Sequence, residues 1–130
     1  MAGAFNFDTI SFIQASKEIW TISLYEEDGV TPVVLVLADT AQVKIWKDDG
    51  DASTTITITD TGTSTVTVTS LGSVTAAAVL TLSVAAADLT TSNFSAGKNR
   101  MEIGIFDSAD SGAYKVAGRG LVEFKLSPTP

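Results

Sequence analysis

The chain has 130 residues, 45% of them hydrophobic, and its longest uninterrupted apolar run is Val33 to Ala38, which excludes both a disordered chain and a membrane-spanning helix of about 20 residues. A net charge of −7 and a pI near 4.3 set overall repulsion against nucleic acid, so neither a nucleic acid nor a membrane is expected as a partner. Cysteine and histidine are both absent, which removes disulfides, thiolate chemistry, the usual zinc sites and the commonest general base, so no enzymatic activity is expected.

The N-terminus, MAGAFNFDTISF, has no basic residue and no small-residue cleavage site after an apolar stretch, and no secretion signal is read there. Residues 1 to 6 are expected to form a short arm, and Phe7 to Ile13 a first strand of imperfect alternation. Phe5, Phe7 and Phe12 are candidate protein contacts, covered either by the domain itself or by a neighbouring subunit. Lys17 to Tyr25 reads as a strand with Trp20, Ile22 and Leu24 on one face. Trp20 is the expected central aromatic of the core. Glu26-Glu27-Asp28-Gly29 then reverses the chain, the Asp-Gly pair supplying the turn. Val33 to Leu37 reads as a short buried strand, and Gln42 to Lys47 as a strand with Val43 and Ile45 inward. Trp46 falls on the opposite face, where it is either covered by a loop or used as a contact anchor.

Ser53 to Ser70, STTITITDTGTSTVTVTS, alternates threonine with β-branched apolar residues around a turn near Asp60 to Thr63, and a hairpin is expected. The run is almost uncharged, so its outer edge either shows water a threonine face or pairs with another chain. Val79 to Val84 is one more strand, Ala85 to Asn93 permits a helical turn, and Asn99 to Leu126 reads as a long hairpin. In that hairpin Met101, Ile103 and Ile105 share a face, Asp107 to Gly112 turns, and Val122, Phe124 and Leu126 share a face. Gly118-Arg119-Gly120 between them suggests a bulge or kink. Residues 127 to 130 are a C-terminal tail. Short strands broken by turns every 8 to 12 residues or so predict one all-β domain over residues 7 to 126, an immunoglobulin-like two-sheet β-sandwich, with a jelly roll as the alternative.

No Gly-x-Ser-x-Gly elbow and no phosphate-cradling glycine loop occurs. Asp48 to Asp51 and Asp107 to Gly112 cluster oxygen donors, but both lack the closing glutamate of a calcium loop. Turn geometry accounts for both, and no metal or cofactor is expected. Charge is uneven: residues 98 to 130 hold five basic and four acidic side chains, whereas residues 1 to 97 hold three and eleven. Either these are ordinary solvated faces, or they form a dipolar surface suited to repeated contact between identical subunits.

A succession of short signatures carries a family resemblance. The strand Glu18 to Tyr25 is followed by the turn Glu26-Glu27-Asp28-Gly29 with Pro32, and by the strand Val43 to Lys47. Leu82-Ser83-Val84 with Asp88-Leu89, Gly97, Met101-Glu102-Ile103, Asp107-Ser108-Ala109-Asp110 and Gly118 complete it. Together they resemble the immunoglobulin-like N-terminal domain of the phage baseplate upper protein family, over roughly residues 7 to 126. The resemblance implies a non-enzymatic structural protein of a tailed-phage virion, as head decoration (cement) or tail/baseplate component, assembled in the host cytoplasm. Its implied partners are other virion proteins, a major capsid or tail protein, and copies of itself, with a trimer suggested by the symmetry habits of phage decorations and fibres. The competing class is a carbohydrate- or ligand-binding β-sandwich module using Trp46 or Tyr25.

Overall fold

The computed structural model describes residues 5–47 and 56–126. The first four residues of the expected arm, the Asp48 to Asp51 turn, the first residues of the threonine run (53–55) and the 127–130 tail lie outside them. The strands are β1 (Phe5–Asn6), β2 (Ile10–Ile13), β3 (Glu18–Ser23), β4 (Thr40–Lys47), β5 (Ile56–Ile58), β6 (Thr65–Ser70), β7 (Val79–Val84), β8 (Gly97–Asp107) and β9 (Ala113–Lys125). Two single 3₁₀ turns, Ala86–Asp88 and Ser108–Asp110, are the helical content of the described residues.

Alternation sorts these strands into two layers. The larger sheet runs β1-β9-β8-β4-β5, with β2 also along the outer edge of β9; the smaller runs β3-β7-β6. Val43 and Ile45 of β4 lie opposite Ile103 and Met101 of β8, and all four are buried. Ile22 of β3 pairs with Leu80 of β7, and Leu82 with Val66 of β6, so the two inner faces close on one another as a β-sandwich. Fold class and the long C-terminal hairpin therefore stand as the periodicity predicts.

The aromatic centre of the core differs from expectation. Trp20 is half-buried at its margin, whereas Phe12, Phe94 and Phe124 are fully enclosed. Phe94 stacks on Phe124 at 5.0 Å and meets Phe12 edge-on at 5.8 Å, the two arrangements ring quadrupoles favour. Buried Asn99 holds the loop that delivers Phe94: its Oδ1 accepts from Ser95 N at 2.8 Å and its Nδ2 donates to Ser95 O at 2.9 Å.

Four further expectations are corrected. Phe5 and Asn6 are not part of a free arm, because they pair in parallel with Gly118 and Arg119 of β9. The single strand expected over Phe7 to Ile13 is split, β2 resuming beside β9 from Ile10. Val33 to Leu37 is an extended link outside the named strands: Val33 and Leu35 point in, Val34, Val36 and Leu37 point out, and its backbone bonds go to the ends of neighbouring strands, from Val33 N to Leu24 O, Ala78 N to Val33 O and Leu35 N to Leu71 O. The threonine run is not a hairpin. β5 pairs with β4 in the larger sheet and β6 with β7 in the smaller, so the chain crosses between layers at Asp60 to Ser64, and one backbone bond, Val66 N to Thr59 O at 2.8 Å, spans the corner. Ile58 and Val66 are both buried: the run folds across the core because alternation gives each half an apolar side that must be covered.

The predicted irregularity near Gly118 is a bulge at Ala117, since Ile103 pairs with Gly118 while Gly104 pairs with Val116. The extra residue exchanges the two faces of β9. Tyr114 and Val116 lie outward before it, and Val122 and Phe124 inward after it. Leu126, expected to join them, is exposed.

Candidate interaction face

The outer face of the larger sheet has no third layer over it among the described residues. Inward positions on β4 and β8 are odd-numbered, so Gln42, Lys44 and Trp46 stand outward beside Arg100, Glu102, Gly104 and Phe106. The bulge brings Tyr114, Val116, Arg119, Leu121 and Glu123 of β9 to the same side. These side chains lock one another. A Cβ at Gly104 would overlap the Tyr114 ring, so glycine there lets the ring lie flat across the sheet. In that position the Tyr114 hydroxyl donates to Glu102 Oε2 at 2.9 Å, Lys44 Nζ stands 4.5 Å from the ring centre, and Phe106 tilts against it at 5.3 Å. Burial, followed by the hydrogen bond to Glu102 and that carboxylate's charge, pushes the phenol pKa well above its ordinary value. The ring is thus a neutral donor throughout the physiological range.

Glu102 also faces Arg119 Nε at 3.7 Å, and Arg100 lies 5.9 Å from the centre of the Trp46 ring. Between these groups opens a groove of about 500 Å³ lined by Asn6, Trp46, Arg100, Glu102, Arg119 and Leu121. Tryptophan, tyrosine and arginine are the residues that dominate binding energy at protein contacts, and here they share one sheet face held by its own cross-strand pairs.

Trp46 is therefore the sequence candidate that stands outward on this face. Phe5 and Phe12 are corrected: both are buried by their own sandwich and present nothing to a partner. Phe7 is half-buried, its ring seated over Gly118 and Gly120. Those glycines make room for it, since a Cβ at Gly120 would overlap the ring. Tyr25 sits edge-on to Phe5 at 6.0 Å and lines a different groove, of about 390 Å³, with Phe7, Ile10 and Trp20 between the sheet edges. Trp46 and Tyr25 do not form one site. Arg100, Glu102, Arg119, Tyr114 and Lys44 are not among the contact candidates read from the sequence, although the outward phase of β4 and β8 is readable from alternation.

The Asp107 to Gly112 turn is held by charge of its own. Asp107 accepts from Ala109 N at 3.0 Å, and Lys115 Nζ lies 2.9 Å from Asp107 and 3.2 Å from Asp110. The hydrogen bond from Lys115 keeps the Asp107 carboxyl below its ordinary range. Among the described residues no group of three or more acidic side chains is placed to hold a metal. At the same end of the molecule Asp39 accepts from Val36 N at 2.9 Å, Ser108 N at 2.8 Å and Ser108 Oγ at 2.7 Å, tying the 24–39 loop to the β8–β9 turn. Compared with protein-family models and with curated proteins, the chain matches none.

Proposed function

We propose that this chain is a non-enzymatic structural component of a tailed-phage virion, a head decoration or tail/baseplate protein that works through contacts with a larger virion protein and with copies of itself. The observation that carries it is the outer face of the larger sheet, where Trp46, Arg100, Tyr114 and Arg119 are displayed on a broad and rigid support. A sandwich offers faces, edges and loop ends rather than an enclosed cavity, and this face has the residue types of a protein contact. The signatures behind the family resemblance fall on β3, the 26–32 turn, β4, β7, β8, the 107–112 turn and Gly118 of β9, so they are spread over both sheets. Mass spectrometry of virions purified from the source of the sequence tests it. The chain is expected at a fixed ratio to the capsid or tail protein, and its absence from intact virions overturns the proposal.

A carbohydrate-binding module is the second reading, favoured by the groove in which the Trp46 ring stands beside Asn6, Arg100 and Glu102. An indole face for a sugar ring and polar side chains for its hydroxyls are what such a site needs. Saturation-transfer NMR with host surface glycans tests it: transfer that disappears in Trp46→Ala supports this reading, and no transfer from any glycan removes it.

A further inference from the structure

We infer that the outer face of the larger sheet docks on the acidic loop end of a second copy of this chain, in a head-to-tail contact. This deepens the proposed function and rests on its self-association. The observation is the distribution of charge over the fold. Lys44, Lys98, Arg100, Arg119 and Lys125 occupy outward positions of β4, β8 and β9, against Glu102 and Glu123. Five of the chain's eight cations therefore share one face of a protein whose net charge is −7, and among the described residues that face carries more cations than carboxylates.

The opposite charge is concentrated where the 24–39 loop and the β8–β9 turn are joined through Asp39. The 24–39 loop carries Glu26, Glu27, Asp28 and the buried Asp39, and the turn tied to it carries Asp107 and Asp110 against Lys115. Glu27, Asp28 and Asp110 are exposed there. Net charge is repulsive between any two acidic partners here, so attraction must come from local pairing of the positive face with a compact acidic surface. A second copy supplies such a surface. Because face and acidic end are different parts of one chain, the contact is heterologous, and repetition closes it into a ring if the rotation permits. The trimer suggested by resemblance is one such ring. Within the contact the Trp46 and Tyr114 rings, at different levels of β8, supply apolar area, and the cations beside them set orientation.

The test uses the full chain and sedimentation velocity at ionic strengths of about 0.01 M and 1 M, where charges are screened beyond about 30 Å and 3 Å. Wild type is expected to associate at low salt and to run as a 13.5 kDa monomer at high salt. One variant reverses the face (Arg100→Glu with Arg119→Glu), and another the end (Glu27→Lys with Asp110→Lys); all four residues are exposed. Each variant alone is expected to be monomeric at low salt with an unchanged circular-dichroism spectrum, and an equimolar mixture of the two is expected to regain association. Should a reversed variant misfold, the milder Arg119→Gln is expected to weaken association at least tenfold. A wild type that is monomeric at low salt overturns the inference, as does an end-reversed variant that associates like wild type, since the contact would then be face to face. Presence of a monomeric chain in virions would defeat this inference alone, whereas absence from virions defeats the proposed function and leaves measured self-association standing.

Discussion

Asn99 shows how much one buried polar side chain can hold. It is fully enclosed, and its amide satisfies both backbone groups of Ser95 while Phe94, the next residue back, is seated between Phe12 and Phe124. Asn99→Ala would leave those backbone groups buried without partners and is expected to cost about 2 to 4 kcal/mol, read as a lower urea midpoint with an unchanged slope. Asp39 is the charged counterpart. Burial opposes its ionisation, but the hydrogen bonds from Val36 and Ser108 outweigh that and hold its carboxyl below the ordinary range. Its folded pKa is thus lower than the unfolded value of about 3.9, so the stability it contributes is present above that value and is lost as pH falls through the folded one. Asp39→Asn is expected to lower stability by about 1 to 3 kcal/mol at neutral pH. The deficit relative to wild type should shrink when both are denatured in urea near pH 3, and a deficit independent of pH would count against this role. Neither residue was legible as structural from sequence, because an asparagine or aspartate in a turn-rich chain looks the same whether it faces water or a buried amide.

At the level of elements, what alternation reveals is which side chains point inward; which strand lies alongside is a separate matter. Met101, Ile103 and Ile105, Leu80, Leu82 and Val84, and Val43 and Ile45 were readable as inward rows, and all are buried. The partnership of the threonine run was not readable, since strands that cross between layers and strands that form a hairpin have the same two-residue period. Cross-strand NOEs are expected to link Thr65 to Val68 with Leu80 to Ser83, and Ile56 to Ile58 with Val43 to Ile45. A ladder of NOEs joining β5 directly to β6 would return the segment to a hairpin. β1 gives a second case of non-local pairing. Its register against Gly118 and Arg119 depends on a bulge and two glycines more than a hundred residues downstream, a relation no local pattern can carry. Removal of residues 1 to 6 is therefore expected to strip Phe5 from Gly118 and to lower the melting temperature, whereas removal of residues 1 to 4 leaves the pairing of β1 in place.

In the whole molecule, the inner faces of the sheets determine whether the chain folds, and the outer face of the larger sheet is the proposed contact surface. The two are separable because odd and even positions of β4 and β8 point to opposite sides of one backbone. Ile103 is fully buried opposite Val43, and Ile103→Ala is expected to cost about 2 to 5 kcal/mol out of a total of roughly 5 to 15. Molecules that remain folded would keep the outer face and associate as wild type does. Trp46, one strand away, is half-buried on the other side beside Arg100. Trp46→Ala is expected to leave most of the stability in place, because its ring contributes nothing to the core between the sheets, and to weaken self-association and incorporation into virions lacking the protein. Urea denaturation and sedimentation on the same two variants decide the matter. Opposite responses place stability and contact on the two sides of the sheet, and a Trp46→Ala protein that associates normally would remove this face from the mechanism.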